Sequence, residues 1–111
     1  MKRQGELLII KLDRLDMSIN DAKRELKRSK RRILAEGEVT GHMHELNTGK
    51  VFKSQRGIWQ EKSDTQYFNV KRGMVATLTH PEHKSLTFEE GIYKVITQRE
   101  YTEKGIQRVR D

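Results

Sequence analysis

The chain has 111 residues, of which 33% are hydrophobic and 35% charged, with a formal net charge of +7 and a sequence pI of about 9.8. That length suits one domain with a modest core, and a strongly basic balance points first to polyanions, nucleic acid above all. The absence of cysteine excludes a disulfide framework and a thiolate metal site, so any metal must be held by nitrogen and oxygen.

No stretch approaches the roughly 18 apolar residues of a membrane span. Residues 1–5 lead into a run too short for a signal-peptide core, so a cytoplasmic protein without membrane attachment is expected. The polar composition would also suit disorder, but the apolar residues come in patterned runs bounded by turn signals.

The first such run is Leu7-Leu8-Ile9-Ile10-Lys11-Leu12, read as a buried strand, with a helix as the alternative for so short a segment. Residues 13–16 form a turn. Ser18-Ile19-Asn20-Asp21 is an acidic variant of the capping box. Beyond it Ile19, Ala22, Leu26 and Ile33 share one sector at about 100° per residue, which predicts a basic amphipathic helix over 17–33. Lys23, Arg24, Lys27, Arg28, Lys30, Arg31 and Arg32 cover its other faces. These seven are nearly a third of the 23 Lys and Arg residues, and Glu25 is the only acid among them. Such a face is either a solvated domain edge or a contact surface for phosphate backbone or an acidic protein, salt-sensitive if the partner is nucleic acid.

Residues 34–97 are expected to form a β core. In the extended segment around Gly37 and Gly41, His42 and His44 fall on one side, and the two glycines allow a bend or bulge. Asn47-Thr48-Gly49-Lys50 is a turn, with Val51-Phe52-Lys53 as the returning strand of a hairpin. Residues 54–66 read as a loop with Trp59 as its aromatic anchor. Trp59 could stack on a base, with burial against the domain as the plainer expectation. Tyr67-Phe68-Asn69-Val70 is a strand. Lys71-Arg72-Gly73-Met74 turns into a strand that puts Ala76, Leu78 and His80 on one face, and Pro81 then turns the chain so that His83 folds back. Leu86-Thr87-Phe88 and the run from Gly91 to Thr97 complete the core, and 98–111 is a charged C-terminal tail. The expected fold is mainly β, a small antiparallel sandwich or barrel with one basic helix near the N-terminus.

All four histidines of the chain fall in two short pairs, His42/His44 and His80/His83. Imidazole is the commonest protein ligand for zinc and its neighbours. Two pairs from distant parts of a chain are what a four-ligand site needs, or a three-ligand site with an open position. Zinc is the first candidate for such a divalent site, with iron, manganese and nickel compatible, and Glu38, Glu45 and Glu82 are candidate oxygen ligands or supporting partners. The plain alternative is polar turns in which these rings bond to backbone and to threonines such as Thr40 and Thr79. In a metal-free version two facing histidines act as general base and acid in phosphodiester cleavage, with Lys50 or Lys84 steadying charge. No Walker or dinucleotide loop, nucleophile elbow or cysteine nucleophile is present.

The string Ala35-Glu36-Gly37-Glu38-Val39-Thr40-Gly41-His42-Met43-His44, with Gln4-Gly5-Glu6-Leu7-Leu8-Ile9, Thr79-His80-Pro81-Glu82-His83 and Gly91-Ile92-Tyr93-Lys94-Val95, resembles a family of small, functionally uncharacterised proteins from bacteria and their phages. The resemblance spans nearly the whole chain and implies no activity. A second and looser likeness is to the cupins, a β-barrel family whose first motif places H-x-H after a glycine. Gly37, His42, His44 and Gly49 fall roughly in its places, but the glycine-to-histidine spacing is one short, Glu45 comes early, and His80-Pro81-Glu82-His83 replaces the second motif.

These observations lead to a small metal-binding accessory module that engages a protein or nucleic acid through its basic helix. The rival is a small metal-dependent enzyme, a hydrolase or oxygenase with an open histidine site. A third alternative is a metal-free nucleic-acid-binding protein. Oligomeric state leaves no mark in the sequence.

Overall fold

The computed structural model describes residues 1–37, 40–54 and 65–97, and the backbone alone of 99–102 and 105–108. The chain opens with β1 (Lys2–Gln4) and β2 (Leu7–Leu12), paired antiparallel with Gln4 opposite Leu7. Only Gly5 and Glu6 lie between them. Gly5 has φ 55, and a two-residue hairpin turn with a positive φ at its first position is what glycine supplies without strain.

A short helix, α1 (Ile19–Glu25), follows, and the Ser18 side chain accepts from the Asp21 backbone N–H as the capping motif predicts. The helix stops there. Leu26–Ser29 is β3 and Ile33–Glu36 is β4, so the basic helix expected over 17–33 is corrected to seven residues. The reason is in the same sequence. A helix continued through this run would stack Lys23 on Lys27, Arg24 on Arg28, Lys27 on Arg31 and Arg28 on Arg32, and like charges four apart oppose helix formation. Pairing β3 with the strand at 50–54 satisfies its backbone while leaving those side chains in water.

The remaining strands are β5 (Met43–Leu46), β6 (Lys50–Ser54), β7 (Gln66–Val70), β8 (Ala76–Thr79), β9 (Leu86–Phe88) and β10 (Gly91–Thr97), followed by β11 (Arg99–Thr102) and β12 (Gly105–Arg108). They form a six-stranded sheet ordered β1-β2-β10-β7-β6-β3, a four-stranded sheet ordered β4-β5-β8-β9, and the hairpin β11-β12. Every pairing is antiparallel. The fold is therefore mainly β, as expected. Among the described residues the sheets stay open and close no barrel, neither the barrel alternative nor the cupin barrel.

One core joins the two sheets. Leu7, Ile9, Val51, Phe68, Val70, Tyr93 and Val95 of the larger sheet share it with Leu34, Ala35, Leu46, Ala76, Leu78 and Phe88 of the smaller. Phe68 and Tyr93 stack at 4.8 Å, and Phe88 meets both edge-on from the other sheet at 5.3 and 5.1 Å. Polar side chains tie the sheets as well. Gln66 Nε2 on β7 donates to the Leu34 carbonyl on β4 at 2.6 Å.

Two further expectations change. β5 and β6 are not a hairpin, because each belongs to a different sheet. Asn47 prolongs the pairing of β5 with β8: its N–H donates to the Thr77 carbonyl, and its Oδ1 accepts the Thr77 N–H at 2.8 Å. Gly49, at φ 107, then turns the chain across to the other sheet. The charged tail expected over 98–111 holds a hairpin instead, with Tyr101 in register with Ile106. The loop expected over 54–66 gives its ends to β6 and β7, and its interior with Trp59 lies outside the described residues.

Candidate functional site

The loop between β4 and β5 is shaped by its glycines. Gly37 N–H donates to the His42 carbonyl at 2.8 Å, and Gly41 N–H donates to the Gly37 carbonyl at 2.9 Å. Thr40 Oγ1 accepts the His42 N–H at 3.2 Å. Gly41 has φ 70, and a Cβ on Gly37 would come within 2.7 Å of Thr40 Oγ1. This closed bend delivers His42 at the mouth of β5, and alternation then sends His44 inward, where it is fully buried. Glu38 lies outside the described residues, and Glu45, one position on, is exposed. Glu45 is thereby set apart from the site it was expected to support.

On the neighbouring strand Ala76, Leu78 and His80 are all buried, as the period of two requires. Beyond Pro81 the Glu82 N–H donates to His80 Nδ1 at 3.1 Å, folding the segment back so that His83 returns. The two pairs meet. Ring centroids are 4.2 Å apart for His44 and His80, 4.6 Å for His80 and His83, 5.7 Å for His42 and His80, and 5.9 Å for His44 and His83. Four residues drawn from two segments nearly forty positions apart in sequence share one cluster.

Gln4 orders it. Both N–H groups of its amide are used, at 3.1 Å to the Leu78 carbonyl and 2.8 Å to the Lys84 carbonyl. Its Oε1 therefore faces His44 Nδ1, at 2.8 Å. An amide oxygen only accepts, so Nδ1 of His44 carries a proton, and in the neutral ring Nε2 is the acceptor nitrogen. Metal-ligating histidines use the same device, giving their other N–H to an amide, carbonyl or carboxylate. His80 has the opposite tautomer when neutral, since its Nδ1 accepts from Glu82. It would have to flip its ring or give up that bond to present Nε2 to a metal.

His42 lies outermost. Its Nδ1 is 3.1 Å from Glu82 Oε1, within ion-pair range although out of hydrogen-bond alignment, with 33% and 50% of the two side chains exposed. The threonines bond elsewhere: Thr40 takes the His42 backbone N–H, and Thr79 donates to the Glu45 carbonyl. Four rings sharing one tetrahedral ion through nitrogens at about 2.0–2.1 Å would have centroids roughly 5 Å apart, a value that the observed distances straddle. Their orientations are not yet those of ligands. Among the described residues no group of three or more His, Asp or Glu side chains is arranged to hold a metal ion. His44 and His83 lie within 16° of parallel, whereas ligands to one ion turn their nitrogens toward a common point.

The cationic residues form a separate feature. Lys23 and Arg24 stand on α1, Lys27 and Arg28 on β3, and Lys30, Arg31 and Arg32 on the turn into β4, all exposed. Two have structural work. Arg24 pairs with Asp21, and Arg32 Nε donates to the Leu46 carbonyl while its own carbonyl accepts the Leu46 N–H. Arg31 reaches Met43 Sδ at 3.9 Å. Met43 alternates with His42 and His44, so the basic turn lies against the side of β5 away from the cluster. Lys50 is exposed on β6, in the other sheet, and Lys84 is exposed and follows His83, its carbonyl held by Gln4.

The family model for a domain of unknown function, DUF8820, matches residues 3–98. The chain belongs to the DUF8820 family. The match spans both sheets and both histidine pairs, and agrees with the resemblance to an uncharacterised family. No curated protein and no solved structure matches the DUF8820 chain, and among its described residues no helix is long and apolar enough to cross a membrane. Sequence reasoning missed Gln4 and Glu6. Both are polar residues buried to within 3%, flanking the glycine of an ordinary hairpin turn, and nothing in their spacing distinguishes them from surface residues.

Proposed function

We propose that this DUF8820 domain is a small accessory module whose histidine cluster binds one divalent transition metal, zinc first, and whose cationic edge engages a polyanionic partner. The observation that carries the metal half is the convergence of both histidine pairs around a ring whose tautomer Gln4 has already set. Metal binding would exchange ring–ring packing for coordination, with His80 giving up the bond that its Nδ1 accepts from the Glu82 N–H. The depth of His44 and His80 favours a closed site that holds the β4–β5 loop to the β8–β9 connection. The A-E-G-E-V-T-G-H-x-H string and the later H-x-x-H then read as the sequence signature of that site, in a module of bacterial or phage origin.

The partner half rests on Lys23, Lys27, Arg28, Lys30 and Arg31, whose exposed charges run along α1, the edge strand β3 and the following turn. An edge strand carrying cations resists pairing with other chains and suits phosphate contacts that do not read sequence. Nucleic acid is the partner favoured.

A second reading is a hydrolase or oxygenase with an open metal position. It is supported by the half-exposed His42 and Glu82 at the mouth. Against it stands the burial of His44 and His80, which cannot touch a substrate without rearrangement.

Calorimetric titration of the tag-free protein with Zn²⁺, followed by titration with duplex DNA, tests both halves. One equivalent of zinc bound, and DNA binding that weakens steeply with salt, is the expected result. Absence of zinc binding overturns the metal half, and salt-independent or absent DNA binding overturns the partner half.

A further inference from the structure

Ile19 and Ala22 are the apolar residues of α1, yet no residue of this helix is buried, and Ile19 is 71% exposed. An apolar helical stripe ordinarily packs against the layer beneath it. Beneath α1 lies the outer face of the larger sheet. Phe52 is in register with Tyr67, and Asn69 with both Lys50 and Ile92. Alternation puts these five on the face opposite Val51, Phe68 and Tyr93 of the core. Arg28 of β3 is in register with Phe52 and shares that face.

Between helix and sheet lies a cavity of about 490 Å³, within the range of about 300–1,000 Å³ usual for small-molecule sites. Phe52, Tyr67 and Ile92 line it from the sheet, and Leu15, Ile19 and Ala22 from the helix and the segment leading into it. Lys23, Arg28 and Lys50 line it too, all three exposed, and no lining residue is an acid. Among the described residues none of these three cations forms a salt bridge.

Polarity and charge select the occupant. An apolar body placed here removes from water both itself and side chains that the fold leaves half-exposed. A carboxylate matches guanidinium and ammonium groups. A nucleobase is read by hydrogen bonds along its edge, and apart from the cations Asn69 is the only polar lining side chain left to make them, because the Tyr67 hydroxyl donates to Asp16. We infer that this cavity binds an aliphatic carboxylate, a free fatty acid of medium chain length. Its chain lies between α1 and the sheet, and its head meets Arg28 and Lys50. None of the four histidines lines the cavity, so the site is independent of the metal reading.

The test is titration of the full chain with decanoate, hexanoate, 1-decanol and adenosine monophosphate, followed by backbone amide shifts, which need no variant to fold. One decanoate per chain is expected, bound at least tenfold more tightly than hexanoate because the longer chain buries more apolar surface. The shifts should gather on α1, β6 and β7 and spare the histidine cluster. In an Arg28→Gln/Lys50→Gln variant decanoate should weaken at least threefold and 1-decanol should be unchanged. Absence of saturable decanoate binding, shifts gathered elsewhere, or tighter binding of adenosine monophosphate than of decanoate overturns the inference. Equal decanoate affinity in the variant overturns it as well.

Discussion

Gln4 shows how one side chain can set the chemistry of another. Its amide has two N–H groups and one oxygen, and the carbonyls of Leu78 and Lys84 consume the first two, so the third is left to fix the proton on His44 Nδ1. Replacing Gln4 by Leu keeps the volume and removes that instruction. Zinc affinity is expected to fall by about 10–100-fold, the range typical of partners that orient metal ligands, and calorimetry beside the wild type would show it. An unchanged affinity would mean that the His44 tautomer does not matter. At the same scale Phe68, fully buried between Tyr93 and Phe88, is expected to cost about 3–5 kcal/mol when replaced by alanine. Urea unfolding would measure it, and a loss below about 1 kcal/mol would contradict the placement of Phe68 in the shared core.

The elements show where the sequence could be read and where it could not. Strands β2, β7, β8, β9 and β10 were legible because each carries compact or alternating apolar residues between turn signals. His80 followed Ala76 and Leu78 inward for the same reason. The cationic segment misled, because Ile19, Ala22, Leu26 and Ile33 satisfy a helical period while Leu26 and Ile33 serve equally well in two separate strands. Only the like-charge pairs four apart argued for breaking the helix, and periodicity counts do not weigh repulsion. The β5–β6 hairpin failed on a non-local fact, the bonds of Asn47 to Thr77 on another strand. Gln4 was hidden because its burial comes with contacts some eighty residues away, to Leu78 and Lys84.

Edge strand and turn also define the partner test. The triple variant Lys27→Glu, Arg28→Glu, Arg31→Glu is expected to lower affinity for duplex DNA and flatten its salt dependence, with folding intact because these side chains are exposed. Fluorescence anisotropy at two salt concentrations would decide, and an unchanged slope would place the contact elsewhere. At the entrance to α1, Lys94 and then Tyr67 bond Asp16 and hold its carboxyl below the ordinary range. Burial, with that bond to Asp16, pushes the Tyr67 hydroxyl up. A depressed carboxylate stabilises the fold above its unfolded pKa of about 4, and that contribution is lost as pH falls through the lower folded value. Because 36% of the side chain is exposed, the effect should stay under about 1 kcal/mol. Melting temperature followed from about pH 5 down to pH 2 should fall less steeply in Asp16→Asn than in wild type. Parallel curves would contradict the assignment.

At the scale of the whole molecule, two open sheets share one apolar core, and the histidine cluster lies where Gln4 ties the β1–β2 hairpin to the smaller sheet. A metal there would act as a clasp between the β4–β5 loop and the β8–β9 connection, at the end of the pairing of β5 with β8. A ligand that binds only the folded state raises stability by mass action, by about 2.7 kcal/mol at a hundred times its dissociation constant. Arg31 meets Met43, whose side chain alternates with those of His42 and His44, so metal and partner binding are expected to be independent, with DNA affinity the same in zinc and in chelator as long as the protein stays folded.

Elemental analysis of protein purified without a histidine tag, beside a His44→Ala/His83→Ala variant, tests the metal site most directly. The expected result is about one zinc or other transition-metal ion per wild-type chain and none in the variant. No bound metal in the wild type after reconstitution with zinc, iron, manganese and nickel in turn would contradict it.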